Sequence, residues 1–145
     1  MAVLVKISHE IFRLILSRVP KVPPETGGIL GGKNQIITHC VFDNGSSASN
    51  GYDIYAPDTH LLNQTIQQWA ESGIEFYGIF HSHFPSGTML SNGDIQYITQ
   101  IMHAMPPQIS ALYFPIVIPQ NTLIVYRADR QGQTVQIVSV PIEIV

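Results

Sequence analysis

Apolar and polar residues alternate along the chain with two distinct periods, and each stretch of constant period predicts one element. Residues 3 to 7 read as a short strand, and Ser8 then offers its hydroxyl to the free amides of a helix reaching about Val19. Ile11, Phe12, Ile15, Leu16 and Val19 recur at three-to-four spacing, so one face of that helix belongs to the core. The stretch from Pro20 to Pro24 ends it, because proline has no amide to donate and disfavours helical geometry in the residue before it. The glycine-rich run from Glu25 to Gly32 and the β-rich run from Ile36 to Phe42 predict a hairpin, its glycines marking a bulge or a close backbone approach. Asp43 to Gly51 is polar and glycine-rich and reads as a surface loop.

Tyr52 to Tyr55 is a candidate strand. Pro57 and Asp58 open a helix whose stripe is Leu61, Leu62, Ile66 and Trp69, ending near Gly73. Ile74 to Phe80 is an apolar strand with no charge after Glu75, and it points at His81. After a loop from Phe84 to Gly93, a helix from about Asn92 to Met105 turns Ile95, Ile98, Thr99 and Met102 inward until Pro106 and Pro107 stop it. Ile109 to Ile118, Thr122 to Arg127 and Thr134 to Ile144 read as a meander of three strands, with Asn121 and Gly132 in the turns. Helices interleaved with strands make an α/β chain, and no internal repeat divides it.

Composition sharpens this picture. With 145 residues, 45% hydrophobic and only 12% charged, the chain fits one domain with a sizeable core and a surface poor enough in charge to hide a face against a partner. A net charge of -3 argues against nucleic acid, whose phosphates demand a basic stripe. The single cysteine, Cys40, excludes an internal disulfide and a Cys-x-x-Cys zinc site, which points to a reducing compartment; inside an apolar strand it reads as a small hydrophobe rather than a nucleophile. The first twenty residues lack an apolar run long enough for a signal peptide or a membrane span, so a cytoplasmic location is expected.

Any metal must therefore be held by histidine and carboxylate. His81, Ser82 and His83 sit where an apolar strand runs out, and the period of two places both imidazoles on one face, able to converge on one ion. The loop that follows can fold Asp94 back beside them, giving two imidazoles, one carboxylate and a fourth position open to water. Hydrolysis also needs a proton acceptor, for which Glu25 is the candidate, and Ser91 could hydrogen-bond the developing oxyanion. Each piece also has a plain structural reading: the histidines as surface or core residues, Ser91 and Asp94 as a helix capping box, Glu25 as a solvated loop residue. Only the joint spacing singles them out. His9, His39, His60 and His103 have no partners at fixed offsets and read as surface or core residues.

That spacing resembles the motif of the JAMM (MPN+, JAB) zinc metalloproteases: a distant glutamate, then His-x-His, seven residues, serine, two residues and aspartate. Here these are Glu25, His81 and His83, Phe84 to Leu90, Ser91 and Asp94. The resemblance extends to the Thr26 to Gly31 strand and to the order of strands and helices. It implies a single MPN/JAB-like domain over residues 1–145, with a curved mixed β-sheet flanked by helices in a cytidine-deaminase-like layout. It also implies one zinc ion per chain on His81, His83 and Asp94, Glu25 as general base and Ser91 as the oxyanion-stabilising hydroxyl. The implied activity is hydrolysis of the bond after the C-terminal glycine of a ubiquitin-like protein, by deconjugation or precursor processing. The ubiquitin-like tail would bind extended, between the loops Asp43 to Gly51 and Phe84 to Leu90, and neither nucleic acid nor membrane is an expected partner. Further self-association or a partner protein would suit the weakly charged surface.

The short chain matches the stand-alone prokaryotic type, found beside ubiquitin-like conjugation enzymes, including those of antiphage defence, and beside sulfur-carrier pathways. One departure is Phe84, which stands before Pro85 where many relatives have proline directly after the second histidine. Two alternatives remain: a zinc peptidase acting on small peptides or amino-acid conjugates, and a non-catalytic MPN scaffold, against which all five positions being present counts. A DNA-repair-like member gains little support from the acidic balance.

Overall fold

Residues 3–21, 25–45, 55–83 and 89–145 are described by the computed structural model. Their elements, in chain order, are β1 (Val5–Ile7), α1 (His9–Arg18), β2 (Gly27–Lys33), β3 (Ile36–Asp43), α2 (Thr59–Glu71), β4 (Glu75–Ser82), α3 (Asn92–Ala104), β5 (Ala111–Ile118), β6 (Thr122–Gln131), β7 (Thr134–Val140) and β8 (Ile142–Ile144). Each helix starts on a side-chain oxygen that satisfies an otherwise free amide. Ser8 accepts from the Ile11 amide at 3.2 Å and Asp58 from the Leu61 amide at 3.1 Å, while Ser91 opens α3. The hairpin of β2 and β3 turns on Asn34 and Gln35, whose positive φ values of 56° and 65° match the twist of the strands they join.

The strands form one mixed sheet in the order β7-β6-β5-β4-β2-β3-β1-β8. Its two edge strands, β7 and β8, are consecutive in the chain and separated by Pro141 alone. The sheet must therefore curl until its edges meet at Pro141, whose carbonyl accepts from the Val5 amide of the neighbouring β1 at 3.0 Å. The curl wraps around α1. Ile11, Ile15 and Val19 pack there with Leu30, Phe80, Val117, Val125 and Val140, drawn from strands all around the sheet. On the outer face α2 and α3 cover Ile29, Ile79, Leu112 and Phe114 through Leu62, Ile98 and Met102. The fold is thus the α/β arrangement of a curved mixed sheet flanked by helices that the resemblance implies.

Three details differ from the sequence reading. Residues 134 to 144 are not one strand: Pro141 cannot donate to a ladder, so β7 pairs with β6 before it and β8 pairs with β1 after it. Ile95 is 43% exposed rather than inward, because the buried stripe of α3 runs through Asp94, Ile98 and Met102, one position earlier in phase. β6 extends to Gln131, four residues beyond its expected end. The candidate strand from Tyr52 lies outside the described residues except for Tyr55, which belongs to no strand. Among the described residues no helix is long and apolar enough to cross a membrane.

One of the β2 glycines has a steric reason to be there. A Cβ on Gly27 would stand 2.2 Å from the Phe80 carbonyl oxygen and 2.7 Å from the Tyr55 ring. Gly27→Ala is therefore expected to destabilise the protein by about 1–3 kcal/mol, lowering the melting temperature by roughly 3–10 °C in a thermal scan.

Candidate metal centre

Strand β4 carries His81, and His83 directly follows its end, so both lie on one face of the sheet, the face on which α2 and α3 lie. Both rings are buried, His81 completely. Helix α3 begins directly above them, and its N-terminal geometry sets the third group. The Ser91 hydroxyl accepts from the Asp94 amide at 3.0 Å, and Asp94 Oδ2 accepts from the Ser91 amide at 2.9 Å, a reciprocal capping box that leaves the carboxylate facing the imidazoles. The capping reading of this motif is realised, and the same side chain stands beside the two imidazoles.

Three ligand atoms converge. His83 Nε2 lies 2.9 Å from Asp94 Oδ2, His81 Nε2 3.1 Å from Asp94 Oδ1, and the two Nε2 atoms are 2.9 Å apart. Donors around a tetrahedral zinc with bonds of about 2.0–2.1 Å are spaced at roughly 3.3 Å, so the trio fits such an ion after opening by a few tenths of an ångström. Two nitrogens aimed at one point, with a carboxylate beside them, make a donor set suited to a divalent metal. Burial alone would raise the Asp94 carboxyl, but hydrogen bonds from His81 and His83 and the nearby His81 charge outweigh it and hold Asp94 well below the usual carboxylate range. Asp94 is thereby kept in the ionised form that a ligand requires.

The next layer of residues was not singled out by sequence reasoning. The Tyr97 hydroxyl lies 3.1 Å from His81 Nδ1, one helical turn beyond Asp94. With a metal on Nε2, Nδ1 would carry the proton and donate to the Tyr97 oxygen, which would fix both tautomer and ring angle. Burial raises the Tyr97 hydroxyl well above its ordinary range, with the Asp94 and Glu25 charges adding to it, so the tyrosine stays neutral. Tyr97→Phe is expected to weaken metal binding by roughly 10–100-fold, read by zinc titration against a competing chelator.

Tyr55 is the other residue that the sequence did not reveal. Its ring stacks on His81 with centroids 6.0 Å apart and planes 7° apart, and its hydroxyl donates to Asp43 Oδ2 at 2.9 Å. Asp43, also buried, accepts in addition from the amides of Gly45 and Asp58. Burial, then the Asp43 charge, pushes the Tyr55 hydroxyl up as well. Cys40 needs no role in the chemistry: burial pushes its thiol up to about 12, against a smaller opposing effect from Arg18, and it packs against the inner core.

Glu25 reaches the same face through strand register. Gly27 pairs with His81, and Thr26 with Ser82: the Ser82 amide donates to the Thr26 carbonyl at 2.8 Å and the Thr26 amide to the Ser82 hydroxyl at 3.0 Å. Continuing that antiparallel register sets Glu25 opposite His83, on the side of the sheet where the imidazoles lie. Its carboxylate accepts from the Tyr55 amide at 3.1 Å, which ties it to the residue stacked on His81. Ser91 is exposed at the start of α3, and because its oxygen accepts from the Asp94 amide, its hydroxyl hydrogen is free for another acceptor. Of the two loops expected to flank the site, residues 46–51 and 84–88 lie outside the described residues.

No protein-family model matches the sequence, and no curated protein does. Solved structures do. A protein from Desulfitobacterium hafniense is 14% identical and superposes with a TM-score of 0.64, over 98% of this chain and 94% of that one. A JAB1/MPN domain protein from Archaeoglobus fulgidus is 16% identical with a TM-score of 0.51, over 96% of each chain. At these identities the likeness is one of fold, and the fold is JAB1/MPN-like.

Proposed function

We propose that this chain is a zinc-dependent isopeptidase or peptidase that cleaves after the C-terminal glycine of a ubiquitin-like protein. The observation that supports the reading is the convergence of His81, His83 and Asp94 within reach of one ion, with the Glu25 carboxylate accepting from the amide of Tyr55, whose ring stacks with His81. His81, His83 and Asp94 would hold a zinc ion, which would supply Lewis acidity to activate water and polarise the carbonyl under attack. Glu25 accepts the proton of the attacking water and passes it to the leaving amine, so the carboxylate is regenerated in each turnover. Ser91 donates its free hydroxyl hydrogen to the carbonyl oxygen as negative charge develops there. No side chain becomes acylated.

The substrate class rests on the resemblance and on the chemistry of an extended tail. Paired glycines carry no side chains, so such a tail passes through a narrow channel to a buried site that bulkier sequences would not fit. Loops 43–51 and 84–90 are proposed to flank that channel, and the scarcity of surface charge fits a protein-binding face. The test is zinc-loaded protein incubated with ubiquitin-like proteins fused through their C-terminal glycine to a reporter, beside short peptides of the same end sequence. Cleavage after the glycine, abolished by chelator and restored by zinc, is the expected result. Cleavage of the short peptides at equal kcat/KM would favour the small-peptide alternative, and chelator-resistant cleavage would remove the metal from the reaction.

A further inference from the structure

Glu25 lies just before β2 and His81 lies in β4, and the proposed reaction requires the base and the metal ligand to keep a fixed separation. One residue touches both. The Tyr55 backbone amide donates to Glu25 Oε1 at 3.1 Å, while its ring runs parallel to His81 in an offset stack, with planes 7° and centroids 6.0 Å apart. Its far end is anchored as well, since the hydroxyl donates to Asp43 Oδ2 at 2.9 Å, and Asp43 is itself held by the Asp58 amide at the start of α2. The sheet makes room for this arrangement at Gly27, the register partner of His81, where any Cβ would enter the Tyr55 ring.

From these contacts we infer that Tyr55 is a positioning residue, a bracket clamped by Asp43 that sets the Glu25 carboxylate relative to His81. This rests on the proposed hydrolysis for the Glu25 arm but not for the His81 arm. A carboxylate held by one backbone amide keeps its other oxygen for a proton, and an imidazole packed against an aromatic plane cannot swing out of the ligand position. The two arms share one side chain, so neither group can drift without moving the other. Asp43 contributes through Tyr55 and touches no reacting atom.

Two substitutions separate the arms. Tyr55→Phe keeps the ring and the amide but loses the Asp43 anchor. It is expected to lower kcat by 10-fold or more on a glycine-ended fusion, with KM and zinc affinity both within about threefold of wild type. Tyr55→Leu also removes the stacked plane, and zinc binding in a chelator competition is expected to weaken by 10-fold or more. A purely structural role would lower the melting temperature of both variants yet leave kcat and zinc affinity unchanged when measured well below it, and that outcome would overturn the inference. If Tyr55→Leu does not fold, the kcat against KM split of Tyr55→Phe decides alone. Should the wild type cleave no glycine-ended fusion, the proposed function fails while the zinc titration of Tyr55→Leu still tests the His81 arm: weakened binding upholds it and unchanged binding ends it.

Discussion

Glu25→Gln is expected to retain one zinc per chain and to lose turnover by about 10²–10⁴-fold, the usual contribution of a positioned general base. The substitution is nearly isosteric, and the amide oxygen of glutamine can still accept from the Tyr55 backbone, so the local structure has no reason to rearrange. What disappears is basicity, since a neutral amide cannot take a proton from water at neutral pH. Metal analysis of the purified variant beside single-turnover cleavage of a glycine-ended fusion reads the two effects separately. Full activity in this variant would exclude Glu25 as the base, and loss of zinc would make it a ligand instead.

His83→Ala should act one step earlier and remove metal and activity together. Two donors remain, His81 and Asp94, and a two-ligand site does not hold zinc against a competing chelator. The fold is expected to survive, because Asp94 keeps the Ser91 amide as partner and the capping box that starts α3 stays closed. Zinc stoichiometry, turnover and the melting temperature of the metal-free protein make the check. A variant that still binds zinc stoichiometrically would show that His83 is not a ligand. A variant whose metal-free form melts far below the metal-free wild type would reveal a structural role beyond ligation.

The contrast between Asp94 and Tyr97 shows what could be read from the chain alone. Fixed offsets between His81, His83, Ser91 and Asp94 carry information because chemistry demands those residue types at those places, and the structure brings the three candidate ligands together. Tyr97 and Tyr55 sit in positions where an aromatic residue is equally at home as filler. Only the three-residue step from Asp94, which places Tyr97 on the same side of α3, hinted at a role. Tyr55 gave no such hint, since its partners Asp43, Glu25 and His81 are scattered through the sequence and meet only once the sheet has formed. The misplaced phase of α3 has a related cause: a buried carboxylate counts as polar in a periodicity, so the pattern was anchored on Ile95 instead. Pro141 did carry a readable signal, but it was outweighed by the apolar run on either side of it.

The seam at Pro141 also constrains how the chain folds. Parallel pairing of β1 with β8 joins Val5 to Ile142, so the ladder that closes the curl links the two extremes of the described chain. Its loop-closure entropy falls due before that contact gives anything back, which makes folding slower than that of a helical bundle built on local contacts. The ligand trio, by contrast, spans only residues 81 to 94 and can assemble as soon as α3 docks on β4. A metal captured at that stage would stabilise an intermediate whose seam is still open, so added zinc is expected to change the early refolding phase more than the late one.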